Sequence, residues 1–134
     1  MQRMVFINLP VADIAVATDF YLGLGYTKNE MFSDDQTSSI VISDAIVIML
    51  LQDEKFQGFV SKPIGDSETH TFGTIGLSVD ARDDVDRLMA KALATGASEN
   101  KEPIDMGFMY NRSFHDPDGH LIELIWMDPD ASFE

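Results

Sequence analysis

The sequence predicts an α+β fold made of two tandem βαβββ modules, and three observations carry that prediction. A strand, a helix and a run of strands in the first half recur in the same order in the second half. Each helix opens beside an aspartate and closes at a glycine, Asp13 and Gly25 for the first, Asp80 and Gly96 for the second. Finally, Asp116-Pro117-Asp118-Gly119 has the composition of a tight turn between two strand-like runs. Module one takes in about residues 1–52 and module two about 73–128 of a single domain, 1–134.

Met4 to Leu9 reads as the first strand, which Pro10 ends. Asp13 then caps a helix by accepting the free N–H groups of its first turn, and Ile14, Ala17, Phe20, Tyr21 and Leu24 mark the buried stripe. Three strands follow at Tyr26 to Phe32, Ser38 to Ser43 and Ala45 to Leu51, punctuated by Ser33-Asp34-Asp35 and Ser43-Asp44. The polar stretch from Gln52 to Phe72 joins the modules; it includes a helical turn around Phe56 to Val60 and has the character of a loop that covers a site. In module two, Thr74 to Val79 forms a strand, and Val85, Leu88, Met89, Ala92 and Leu93 pattern a helix. Strands at Ser98 to Glu102, Phe108 to Phe114 and His120 to Met127 complete it.

One carboxylate stands out. Side chains alternate along a strand, so Leu121, Glu123 and Ile125 share one face while Ile122, Leu124 and Trp126 share the other. Glu123 thus has apolar neighbours whichever face is buried. A carboxylate so placed is hydrated in a cleft, paired, or bound to a metal, because burying it alone costs several kcal/mol.

Composition narrows the classes. With 134 residues, 45% of them hydrophobic, the chain is long enough to bury a real core. No apolar run approaches the roughly 20 residues of a membrane span, so a soluble, cytoplasmic protein is expected. A formal charge of −14 opposes partnership with nucleic acid or an anionic membrane, whose phosphates would be repelled. The absence of cysteine excludes disulfides, thiolate nucleophiles and cysteine-based metal sites, leaving oxygen ligands or His70, His115 and His120 for any metal.

Three segments carry a family resemblance: NLPVADIAVATDFYLGLGY at 8–26, GTIGLSVDARDDVDRLMAKALATGA at 73–97, and SFHDPDGHLIELIW at 113–126. In order and spacing they resemble the vicinal oxygen chelate superfamily, which includes glyoxalase I, fosfomycin and bleomycin resistance proteins, and extradiol dioxygenases. The resemblance implies two modules forming a curved mixed sheet around one cleft, a divalent metal (Zn, Ni, Mn or Fe) on inward-facing side chains, a homodimer, and Glu123 as the carboxylate ligand of the last strand. Other positions that the family gives to metal donors fall here on Phe6, Thr74 and Met49, none of them a good ligand. A shifted donor set would draw on Asn8, which shares the face of Phe6, and on His70. The cleft this implies is apolar with an acidic centre.

Further candidates come from the residues themselves. Tyr110 and Arg112 share a strand face, where Arg112 either pairs with Glu123, holds an anionic substrate by bidentate bonds, or offsets surface aspartates. His115 and His120 flank the turn; such residues can grip a surface metal but more often are solvated. Met31, Met49, Met106 and Met109 with Phe6, Phe32 and Phe108 either line an adaptable pocket or fill the core. The substrate-binding candidates are therefore Phe6, Asn8, Met49, Thr74, Tyr110 and Arg112. Three functions follow. The leading one is a protein that binds or transforms a small organic molecule around Glu123 without the family's complete metal site. The others are a divalent-metal lyase of lactoylglutathione lyase type, or dioxygenase, with Glu123 and His70 among its ligands, and a non-catalytic dimeric binder.

Overall fold

The structure, a computed structural model, describes residues 1–131. The chain divides into two compact units, the first Met1–Asp66 and the second from Ser67 onward. Each unit carries its own mixed sheet with a helix on one face, and among the described residues no helix is long and apolar enough to cross a membrane.

In the first unit β1 (Val5–Val11) leads to α1 (Ile14–Gly23), whose first turn is capped as expected: Asp13 Oδ1 accepts from Ala15 N at 3.0 Å and Val16 N at 3.3 Å. Short β2 (Thr27–Lys28), β3 (Thr37–Val41) and β4 (Ile46–Gln52) follow, and the sheet order is β1-β4-β3-β2, with β1 parallel to β4. α1 packs on β3 and β4, burying Ala17, Phe20 and Tyr21 with Ile40, Ile48 and Leu50. Thr18 and Ser38 hydrogen-bond across that layer. Alternation therefore sets Phe6, Asn8, Thr37, Met49 and Leu51 on the opposite face of the sheet, away from α1. The strand expected over Tyr26 to Phe32 is cut short. Asn29 accepts from Met31 N and turns Glu30–Phe32 into a 3-10 turn, which Ser33 fastens by donating to Asn29 O. The helical turn expected around Phe56 to Val60 lies three residues earlier, as α2, Asp53–Gln57, which begins directly after β4.

In the second unit β5 (Ile75–Ser78), α3 (Arg82–Ala94), β8 (Met109–His115) and β9 (Leu121–Met127) form the main body, with short β6 (Ser98–Glu99) and β7 (Ile104–Asp105) pairing with β8. β5 runs parallel to β9, and β9 antiparallel to β8. Leu77, Phe114, Ile122 and Leu124 face α3, which buries Val85, Leu88, Met89 and Ala92. The single strand expected over Ser98 to Glu102 stops after two residues, and β7 was not foreseen. Pro103 between them carries no N–H for a ladder.

The predicted hairpin forms. Asp116 Oδ1 accepts from the N–H groups of Asp118 and His120 at 2.9 Å each, and Gly119 takes φ +89°. That positive φ is glycine's to adopt. A side chain there would also collide with the Ser67 carbonyl, because the Ser67–Glu68 backbone lies against the turn and Ser67 Oγ donates to Asp118 O.

Candidate functional site

The open face of the first unit's sheet becomes a cavity where α2 and the residues after it wall it in. Asn8 and Met49, opposite each other in the β1–β4 register, sit in its lining with Leu51, Phe56, Phe59 and Val60, around a volume of about 600 Å³. Two further lining residues, Thr37 and Lys55, are polar. Lys55 Nζ donates to Asp34 Oδ2 at 3.1 Å and to Thr37 Oγ1 at 2.5 Å. Asp34 is held below the usual carboxylate value, first by the N–H of Gln36 and then by Lys55. Phe6, two residues before Asn8 on the same face, is 57% exposed and does not line this cavity.

Sequence reasoning named Asn8 and Met49 but missed Thr37, Leu51, Lys55, Phe56, Phe59 and Val60 as site residues. A signal was present in the Gln52 to Phe72 stretch, read as a cover over a site, although the pattern did not single out its lysine. The expected acidic centre is absent from this cavity, since its charged lining residue is Lys55.

Glu123 lies in β9 of the second unit, half-buried, with Ser113 of β8 and Gly76 of β5 as its neighbours in register. Among the described residues its carboxylate has no hydrogen-bond or ion-pair partner. Ile125 and Glu123 pack against the bare backbone of Gly76: a Cβ there would stand 3.0 Å from Ile125 Cδ1 and 3.6 Å from Glu123 Oε2. Thr74 immediately precedes β5, two positions before Gly76. Ser113 accepts from Asn100 Nδ2 at 3.1 Å, so this face holds neutral polar groups as well as Leu121 and Ile125.

Arg112 and Tyr110 do not join Glu123. Arg112 pairs in register with Leu124 and therefore lies on the helix side of the sheet. There it bonds Asp86 of α3 and Glu99 of β6, each at 3.0 Å, while Tyr110 donates to Asp86 at 2.7 Å. The tyrosine's bond, then the guanidinium, keeps Asp86 below its usual value, whereas burial, then that same bond, raises Tyr110. Arg82 stacks over the Tyr110 ring at 4.2 Å and bonds Asp105. This network ties α3 to its sheet. The ion pairs of Arg112 are with Asp86 and Glu99 and not with Glu123.

His70 and His115 line a second, polar cavity of about 460 Å³ within the second unit, beside Asp116 and Gly119. His70 Nδ1 is 2.8 Å from Thr69 Oγ1. His120 is 3% exposed, its ring edge-on to Phe72, so it shares no metal-gripping position with His115. Asn8 and His70 line separate cavities, and among the described residues no group of three or more His, Asp or Glu side chains is placed to hold a metal ion. With Phe6, Met49 and Thr74 offering no strong donor, the residues present do not fit a resident divalent metal.

A family model described as the Glyoxalase/Bleomycin resistance protein/Dioxygenase superfamily matches residues 3–124. Comparison with curated proteins gave no significant match. Among solved structures, a hypothetical protein of S. aureus, SA1046, is 25% identical and superposes with a TM-score of 0.79, over 94% of this chain and 95% of that one. A glyoxalase/bleomycin resistance protein/dioxygenase family enzyme from Burkholderia phytofirmans PsJN is 19% identical, with a TM-score of 0.77 over 94% and 99% of the two chains. The fosfomycin resistance protein FosX from Listeria monocytogenes is 19% identical, with a TM-score of 0.67 over 94% and 93%.

Proposed function

Given that the chain belongs to the glyoxalase/bleomycin resistance protein/dioxygenase superfamily, we propose that it binds or transforms a small organic molecule, with Asn8 and Met49 in the binding surface and Glu123 as the reactive carboxylate. The observation that carries this reading is the preformed apolar cavity of the first unit, whose 600 Å³ or so falls within the range of small-molecule sites. Superfamily membership alone would not suffice, because one fold hosts many chemistries.

The reactive role rests on the surroundings of Glu123 within the second unit. A half-buried carboxylate with no partner among the described residues is open to a substrate proton and can take it or return it as a general base or acid. No step is assigned to a metal, for the donor set does not fit one.

A melting screen with uncharged aromatic compounds tests the reading, since a ligand of the native state raises its stability by mass action. Stabilisation by such compounds that Met49→Trp removes, with turnover lost in Glu123→Gln, supports it. Stabilisation by nucleotides or polyphosphates alone contradicts it.

A further inference from the structure

We infer that the first unit's cavity takes a hydrophobic monoanion, an aryl or alkyl body carrying one carboxylate, and that Lys55 is the residue selecting it. The inference rests on the small-molecule reading above and names the class of molecule.

An ammonium group has three N–H donors. Asp34 and Thr37 engage two of those of Lys55, and among the described residues the third has no acceptor. Asn8, in the same lining, adds a neutral donor: its Nδ2 makes one long contact, 3.5 Å to Phe6 O, so among the described residues its second N–H is uncommitted. Lys55 is the one charged residue of the lining, and its ion-pair partner Asp34 stands outside that lining.

The rest of the wall fixes the body of the ligand. Met49, Leu51, Phe56, Phe59 and Val60 offer only apolar surface, which rewards an aryl or alkyl group. A cation would meet the ammonium, and a polyanion would bring charges that the lining does not match. A neutral analogue fits the wall but forgoes the charge-assisted bond, which is about twice as strong as a neutral one. Asp34, 56% exposed where the Lys55 side chain is 29% exposed, balances the ammonium from the solvent side and competes with the ligand for it.

The test is calorimetric titration of the purified chain with 2-naphthoate, 2-naphthylmethanol and 2-naphthylmethylammonium, which share one aromatic body. Naphthoate is expected to bind about tenfold tighter than the alcohol, and the ammonium compound weakest of all. Lys55→Met keeps the unbranched stem, so it should abolish the naphthoate preference while alcohol affinity changes by less than about threefold. Asp34→Asn gives an independent reading with the opposite sign, because removing the competing carboxylate should tighten naphthoate binding. Equal affinities for the three probes, or a naphthoate preference that survives Lys55→Met, overturn the inference and leave the cavity reading standing. Failure of all three probes to bind, or binding that Met49→Trp leaves untouched, overturns both.

Discussion

Glu123 and Arg112 point from opposite faces of one sheet, and a double-mutant cycle turns that geometry into an energy. Glu123→Gln keeps the shape of a half-buried side chain that has no partner among the described residues, so unfolding stability should change by less than about 1 kcal/mol or rise. Arg112→Met removes two ion pairs whose acidic partners are 59% and 37% exposed, while Arg112 itself is only 18% exposed. Exposed pairs are worth roughly 0.2–1 kcal/mol each, and burial of the arginine sets these toward the upper end, giving a loss of about 1–2 kcal/mol. Relief of the desolvated guanidinium, whose buried Nε has no partner among the described residues, trims this figure. Because the two side chains share no partner, the double mutant should be additive to within about 0.5 kcal/mol. Urea titrations followed by Trp126 fluorescence measure all four corners. A loss of roughly 3–5 kcal/mol on Glu123→Gln, rescued by Arg112→Met, would be the signature of a buried Glu123–Arg112 pair and would refute the assignment of opposite faces.

Two further outcomes follow from the same unit. Asp86 titrates below its ordinary 3.8 in the folded state, so its stabilisation is complete above 3.8 and is lost as pH falls through the lowered value; Asp86→Asn should flatten that part of the acid denaturation curve. Tyr110 titrates above its ordinary 10.0, so its share is complete below that value and is lost as pH rises through the raised one, which Tyr110→Phe should remove. Gly119→Ala should destabilise more than Gly107→Ala by about 1–3 kcal/mol in the same urea assay, since both sites have positive φ but only Gly119 has the Ser67 backbone against it. Equal losses at the two glycines would contradict the docking of Ser67 on the turn.

Periodicity and turn chemistry made the modules readable. Asp13, the Phe20–Tyr21 stripe, the Asp116 to Gly119 turn and the β9 alternation each depend on contacts within a few residues, and each stands where the sequence put it. Elements governed by a local side-chain bond or a missing N–H were less legible. Asn29 bends the chain into a 3-10 turn that β propensity alone does not foresee, and the strand expected from Ser98 stops at Glu99 while an unforeseen β7 forms beyond Pro103. Long-range partnership was least legible. Whether Arg112 meets Glu123 or Asp86 is decided by strand parity and by a helix 26 residues away, and whether Lys55 is an idle surface lysine or a cavity wall is decided by β3. Of the superfamily positions Phe6, Thr74 and Met49, Met49 lines the cavity, and Asn8 was reached from Phe6 along one strand face; Phe59 and Lys55 come from the connecting segment, where no periodic signal operates.

The central claim is that a small organic molecule occupies the cavity beside Asn8 and Met49, and methyl-labelled NMR titration with uncharged 2-naphthylmethanol tests it most directly. The account predicts saturable shifts of the Met49, Leu51 and Val60 methyl resonances, with those of Leu88 and Met89, buried under α3, unmoved. Saturable shifts confined to the second unit, with Met49, Leu51 and Val60 unchanged, would contradict it.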